Sequence, residues 1–313
     1  MHRITRREWL KQGAIVAGAT ALGAPRLLAN HRAAERGCTL SYSTYALKGM
    51  PVERAVRVIA EDGFDGVELA VATGYDAEPK NMSADRRSAL RGLLAESKLK
   101  LTALMEHLYP AEDDAQHKVD LERLSQVMRL GADLGGVPVV QTVLGGGTWE
   151  EKRELFLKRL PDWVAVAESA GVTLAIKPHR GGAMSRPSEA IWLILELGEP
   201  KNLRMVYDYS HYAFRGMPLE ETVREAVPYT AHVAVKDAVE QGDKVIFQLP
   251  GHSGTFDYAR LLRLLHEGGY RGDVCCEVSS MVSGAAGYDP LAAAKECEKN
   301  MARAFEDAMV PRG

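Results

Sequence analysis

The chain has 313 residues, 46% of them hydrophobic and 26% charged, with a formal net charge of −3. This is the composition of a soluble globular protein, and the length suits one large α/β unit as well as two small domains. A slightly acidic balance without a Lys/Arg-rich stripe gives no footprint for nucleic acid.

At the N-terminus, Thr5-Arg6-Arg7-Glu8-Trp9-Leu10-Lys11 precedes a weakly apolar run, rich in Ala and Gly, from Gly13 to Gly23. A basic segment, an apolar segment and small residues in this order read as a twin-arginine export signal over residues 1–29. An ordinary N-terminal helix with two arginines is the plainer alternative. The signal reading predicts an exported, periplasmic protein. The apolar run is too short to span a bilayer comfortably, so no integral membrane span is expected once the signal is removed.

From residue 38 to 309 strand-like and helix-like segments alternate. Thr39–Ser43 reads as a strand, Val52–Glu61 as an amphipathic helix and Gly66–Leu69 as the second strand. Ser83 caps a helix through Leu94. Leu101–Met105 is the third strand, a helix covers 115–134, and Val137–Val143 is the fourth strand. Glu150–Ala170 is a long helix that Gly171 stops. Thr173–Lys177 is the fifth strand, with Ser188 capping the helix after it. Leu203–Tyr207 is the sixth strand, followed by a helix at Leu219–Ala226, and Thr230–Val235 is the seventh. Residues 240–255 read as irregular. Asp257 caps a helix to Glu267, Asp273–Val278 is the eighth strand, and Pro290 opens the last helix. Eight strand–helix units predict a single-domain (β/α)8 TIM barrel after the signal segment. An open doubly wound sheet would carry a glycine-rich phosphate turn after its first strand, where this chain has Thr44-Tyr45-Ala46-Leu47-Lys48-Gly49. The four cysteines form no metal pattern and read as buried apolar residues; a bond from Cys38 to Cys275 or Cys276 is conceivable if the first and last strands pair.

Four late strands each run into an ionisable residue: Lys177, Asp208, Lys236 and Glu277, spaced 31, 28 and 41 residues apart. Charges at the ends of buried strands are costly unless paired, so they predict a polar site at one mouth of the barrel. Alternation places His179 with Lys177, and His232 and Ala234 with Lys236. Glu68 and His107 can join from the opposite wall, and His211 follows Asp208 by three residues. Carboxylates, imidazoles and lysine in a partly dry mouth suit proton transfer. For Lys236-Asp237 a purely structural ion pair is an equal alternative.

These segments are similar to those of the xylose-isomerase-like barrels, the sugar (phosphate) isomerase/epimerase superfamily. The residues that carry the similarity are Gly63-Phe64-Asp65-Gly66-Val67-Glu68-Leu69, Leu174-Ala175-Ile176-Lys177-Pro178-His179, Tyr207-Asp208-Tyr209-Ser210-His211, His232-Val233-Ala234-Val235-Lys236-Asp237 and the stretch Gly269 to Val278. The resemblance implies a divalent metal (Mn, Mg, Zn or Co) held by Glu, Asp, His and Glu on strands five to eight. By position Asp208 and Glu277 match as metal ligands. Lys177 stands where the first Glu is expected and Ala234 where the His is expected, with His232 two residues earlier. A protonated lysine offers no lone pair. Three readings follow: Lys177 supplies the metal's charge; a metal is kept through Asp208, Glu277 and His232 or His211; or Lys177 forms a Schiff base.

The expected function is a sugar isomerase or epimerase that removes a proton next to a carbonyl. Glu277 is the base, Lys177 and His211 stabilise the enolate, and Asp208 holds Lys177 or a metal. Glu68, His107, His179, His232 and Lys236 are the candidates for substrate binding. A lyase or hydratase acting on a keto glycoside needs the same first step, and a non-catalytic periplasmic carbohydrate-binding protein is the rival from another class. The expected partner is a small carbohydrate; homo-oligomerisation is left open.

Overall fold

The computed structural model describes residues 37–313; the segment read as an export signal lies outside them. Ten strands are present among the described residues. They are β1 (Thr39–Ser43), β2 (Gly66–Ala70), β3 (Lys100–Met105), β4 (Val139–Thr142), β5 (Thr173–Ile176), β6 (Leu203–Tyr207), β7 (Thr230–Val235), β8 (Asp237–Gln241), β9 (Lys244–Gln248) and β10 (Asp273–Cys276). Eight of them close a parallel barrel in the order β1-β10-β7-β6-β5-β4-β3-β2. The closing seam pairs Thr39 with Asp273 and runs in register to Tyr42 and Cys276. The (β/α)8 expectation is therefore met, and right-handed crossovers account for the all-parallel pairing.

The helices of the outer shell include α1 (Val52–Glu61), α2 (Ala84–Glu96), α3 (Asp114–Asp133), α4 (Trp149–Ala170), α5 (Pro187–Glu196), α6 (Leu219–Ala226), α7 (Tyr258–Glu267) and, after a short α8 (Ser280–Ser283) at the barrel mouth, α9 (Pro290–Ala308). Their starts follow from capping: Ser83 accepts from Arg86 N–H, and Thr148 and Glu151 bond reciprocally at the start of α4. Gly171 ends α4 in the left-handed conformation (φ 68°), which costs a residue without Cβ nothing. Outward strand residues such as Leu40, Val67, Leu104, Leu174, Met205 and Val274 join the helices in the main core. The inward set Ala103, Val139, Ala175, Val206 and Ala234 forms a separate cluster inside the barrel. These small side chains leave axial room for polar residues from the remaining strands.

Three local expectations are corrected. Helix α5 is not capped by Ser188: it starts at Pro187, and the Glu189 carboxylate accepts from the Ser185 and Arg186 N–H groups ahead of it. Residues 240–255 are not irregular throughout. β8 and β9 pair antiparallel from Asp237–Gln248 to Gln241–Lys244 across a two-residue turn whose Gly242 has φ 58°. The polar run Glu240 to Lys244 hides this hairpin, because it stands above the barrel, half in solvent. No bond joins Cys38 to β10: all four cysteines are free and buried, and Cys38 Sγ lies 3.7 Å from the Tyr270 carbonyl oxygen.

Candidate active site

The four strand-end charges meet. Backbone pairing continues one residue past β5 and β10: Lys177 N–H donates to Thr142 O (2.9 Å) and Glu277 N–H to Val235 O (3.0 Å). This fixes where the side chains leave the barrel rim. Lys177 Nζ lies 2.6 Å from Glu277 Oε2 and 2.9 Å from Asp208 Oδ2. Lys236 Nζ lies 2.5 Å from Asp208 Oδ2 and 2.6 Å from Glu277 Oε1. Two ammoniums and two carboxylates thus alternate in a closed ring, with all four residues buried. Asp208 is fixed from behind by the Ser210 hydroxyl (2.6 Å). The ring answers the electrostatic problem of charge at the end of a buried strand, since every charge touches two of opposite sign.

Burial opposes ionisation at each site, and the neighbours decide. Burial would depress the Lys177 ammonium, but Asp208 and Glu277 outweigh it and hold the pKa above the usual lysine range. Burial would raise Glu277; Lys177 and Lys236 overcome it and bring the carboxyl down to about 2. Asp208 lies well below its ordinary value for the same reason, with His211 adding to the pull. Two carboxylates in contact with Lys177 favour its ammonium form and so disfavour the free amine that a Schiff base needs.

A cavity of about 400 Å³ opens onto this ring. Glu277, Lys177, Lys236, His107, His179, His211, Gln141 and Glu106 all face it. Asp208 sits at the back of the ring, fully buried, so it acts on the cavity through the lysines and His211. His211 Nε2 is 3.4 Å from Asp208 Oδ2, and neither ring nitrogen has a hydrogen-bond partner among the described residues. Burial keeps His211 neutral, well below its ordinary pKa. His179 packs on it with ring centroids 4.0 Å apart. Burial, then Lys177 and Lys236, lower His179 to about 4. Gly181 N–H donates to His179 Nδ1 (3.2 Å), so the neutral ring carries its hydrogen on Nε2. His107 is lowered by burial as well.

Glu68 and His232 lie elsewhere. Both are fully buried one layer below the ring, and neither borders the cavity. His232 Nε2 is 3.1 Å from Glu68 Oε2 and His232 Nδ1 is 3.5 Å from Asp273 Oδ2. Gln141 Nε2 bonds the same Glu68 oxygen, and Ser41 Oγ bonds Asp273 at 2.5 Å. The substrate-binding role expected of Glu68 and His232 therefore does not match their position: their side chains end inside the barrel, short of the rim.

Sequence reasoning missed Phe247, Gln141, Tyr45, Tyr109 and Glu106. Phe247 reaches the cavity from β9, with its ring centroid 5.5 Å from that of His211 and 5.8 Å from Lys236 Nζ. Glu106 directly follows β3, as Lys177 follows β5, a signal that was available; its partner Arg123 on α3 (2.8 Å) was not. Burial raises Glu106 even with Arg123 beside it.

Two residue sets bear on a metal. Glu68, His232 and Cys275 bring one donor atom each within 4.8 Å of one another. The donor types suit an ion of the zinc kind, but the set is sealed from the cavity, and burial holds the Cys275 thiol well above its ordinary pKa. At the rim, Asp208 and Glu277 are the carboxylates that a metal would need, and both are already taken by ammonium groups. Lys177 and Ala234 supply no lone pair to complete a ligand set, so the rim residues do not fit a divalent ion.

The xylose isomerase-like TIM barrel family model matches residues 56–302. The chain belongs to this family. A putative hydroxypyruvate isomerase of Homo sapiens is 24% identical over 264 residues, 76% of this chain and 87% of that protein. Its Mus musculus namesake is 32% identical over 94 residues, 30% of this chain and about a third (31%) of its own length. Among solved structures, the apo form of the 3-keto-D-glucoside 4-epimerase YcjR from E. coli superposes with a TM-score of 0.66 at 17% identity, covering 86% of this chain and 99% of that one. The IOLI protein with a bound zinc atom gives 0.71 at 17% identity, covering 86% and 98%. At such identities the superpositions speak for the shared barrel.

Proposed function

We propose that the protein is an enzyme of the sugar isomerase/epimerase kind, which removes a proton from carbon next to a carbonyl of a sugar or sugar derivative. The observation that carries this reading is the Lys177–Asp208–Lys236–Glu277 ring facing a cavity of sugar size. The family match and relatives named as isomerases and an epimerase support the reaction class.

Glu277 is the base. Clamped by two ammoniums it is a weak one, and this becomes useful when substrate binds. As negative charge grows on the carbonyl oxygen, that oxygen competes for the lysine N–H donors, and Glu277 gains basicity as it loses them. Lys177, Lys236 and His211 are the donors to the developing enolate. Epimerisation also needs an acid on the other face of the carbon. His107 follows β3 and His179 follows β5, each three or more strands from β10 around the barrel, in opposite directions. His179, whose neutral ring carries its hydrogen on Nε2, can relay a solvent proton to the carbon: the ring gives up the Nε2 hydrogen and regains one from water. The same group can protonate a leaving oxygen, which makes the lyase or hydratase reaction on a keto glycoside the second reading.

The test is exchange of the substrate C–H with deuterium oxide, followed by NMR, for hydroxypyruvate, a ketohexose and a 3-keto glucoside. Exchange into at least one of these, lost in Glu277→Gln, is expected. A sugar that raises the melting temperature with no exchange in any arm would replace the enzyme by a binding protein. Export to the periplasm is part of the proposal and rests on residues 1–29 alone. No described helix is long and apolar enough to cross a membrane. Fractionation of cells carrying Arg6→Lys/Arg7→Lys checks it, with retention of the precursor in the cytoplasm as the expected result.

A further inference from the structure

We infer that Lys177 and Lys236 together take the place of the divalent cation at the barrel mouth, so that the proposed proton transfer runs on a pair of ammonium groups. This deepens the reading above and rests on it.

Charge comes first. Two lysines carry +2 against the −2 of Asp208 and Glu277, which is the balance a divalent ion would bring. Position comes second. The Nζ atoms lie 2.5–2.9 Å from Oδ2 of Asp208 and from both oxygens of Glu277. A cation bound to these carboxylates would sit about 2.0–2.6 Å from the same atoms. The ammonium nitrogens therefore occupy the volume that the ion would need. Ligand supply comes third. A metal accepts lone pairs, and of the positions matching the family's four ligands, two hold Lys177 and Ala234. Among the described residues, the neutral His211 is the one further lone-pair donor beside Asp208 at the cavity wall. Seating an ion on Asp208 and Glu277 would take from two buried lysine cations the counter-charges they touch.

The pair also does something a metal does. An ammonium has three N–H donors, and each lysine uses two of them on the ring carboxylates. One donor per lysine remains, and both lysines face the same cavity. Two such donors suit two neighbouring oxygens, the carbonyl and the adjacent hydroxyl of a keto sugar. When the α-proton leaves for Glu277, the C–H electron pair passes into the C–C bond and the carbonyl π pair moves onto oxygen. The resulting enediolate is held by N–H donors. No redox partner or further reactant is needed. Lys236 thereby becomes a catalytic residue equal in rank to Lys177, instead of a strand-end ion pair.

The experiment uses the full chain purified without chelator. Metal content is measured by plasma mass spectrometry, Mn²⁺ and Zn²⁺ are titrated by calorimetry, and the deuterium exchange assay is run with and without chelator. The expected result is no metal dependent on Asp208 or Glu277, no stoichiometric heat with either ion, and exchange unchanged by chelator. A metal confined to Glu68, His232 and Cys275 would be lost in Cys275→Ser and leave exchange intact after chelation, which also supports the inference. A triple variant carries Lys177→Glu, Ala234→His and Lys236→Met; it restores the lone-pair ligands and should bind Mn²⁺ stoichiometrically, a readout that does not depend on turnover. One metal per chain that is lost in Asp208→Asn, or exchange that stops with chelator and returns with metal, overturns the lysine pair and leaves the proton-transfer reading standing. Absence of exchange in every arm, with no metal bound, strikes the proton-transfer reading instead.

Discussion

The barrel holds two clusters of buried ionisable residues, stacked one above the other, and they solve the same problem differently. At the rim, two long lysine side chains bring full charges to Asp208 and Glu277 and keep both ionised. One layer down, no lysine or arginine contacts the carboxyls among the described residues. His232 sits between Glu68 and Asp273; burial opposes its protonation, yet the two carboxyls raise its pKa, while burial raises Asp273 to about 6. The lower cluster therefore shares protons, and the upper one separates charge. The difference follows from reach. Lysines at strand ends have space to extend across the mouth, whereas within the barrel only short or planar side chains fit beside Ala175 and Ala234. The upper cluster borders a cavity and can meet a substrate; the lower one is closed, and is read as the floor that holds Gln141 and the strand ends in place.

Mutations can break this division. The largest effect is expected for Glu277→Gln: deuterium exchange should fall by about 10² to 10⁴-fold, the range for a lost general base, with the sugar still bound in a thermal-shift assay. The next is Asp208→Asn, which leaves two ammoniums sharing one carboxylate. Stability should drop by about 3–5 kcal/mol in urea unfolding, the cost of breaking a buried ion pair from one side. A loss under about 1 kcal/mol would mean that water reaches the ring and that the separation into wet and dry layers is wrong.

Two pH experiments sharpen the contrast. Asp273 titrates higher folded than unfolded, so between about 6 and the ordinary aspartate range the native state holds the extra proton. Its contribution is present at low pH and is lost as pH rises through about 6. Asp273→Asn should remove that part of the stability profile while changing exchange little. His179 behaves in the opposite sense. Its folded pKa of about 4 lies below the unfolded value, so its contribution is present near neutrality and is lost as pH falls from the ordinary histidine range toward 4. His179→Gln should flatten that limb, and the difference between variant and parent in urea unfolding at pH 7 and pH 4.5 measures it. The smallest effect is expected for Phe247→Ala. Its cation–π contact with Lys236 is of the class worth about 0.5–1 kcal/mol, so stability in urea unfolding should fall by about that amount.

Eight strand–helix units were legible because parallel strands buried on both faces give short apolar runs, and the helix caps at Ser83 and Asp257 are written in local sequence, whereas those at Asp113 and Thr148 emerged only with the structure. The β8–β9 hairpin was hidden, since Glu240, Gln241, Asp243 and Lys244 look like a loop and pairing depends on what the hairpin stands above. The rim charges were visible as strand-end residues, and their closure into one ring follows from barrel topology. Depth was not visible. Glu68 and His232 alternate onto the inward face just as the rim residues do, and only the barrel's closed geometry sets how far up the axis each side chain ends.

The order of residues alone settled the repeating unit, the parallel barrel and the polar character of one mouth, because these depend on period, capping and the cost of unpaired charge. Only the tertiary structure decided that Lys236 is a full partner of Lys177, that Asp208 closes the ring from the side away from the cavity, and that His232 belongs to the floor. Those facts rest on distances of a few ångströms between residues from 28 positions apart (Asp208 and Lys236) to 164 apart (Glu68 and His232), and local patterns carry no such information until the sheet has closed.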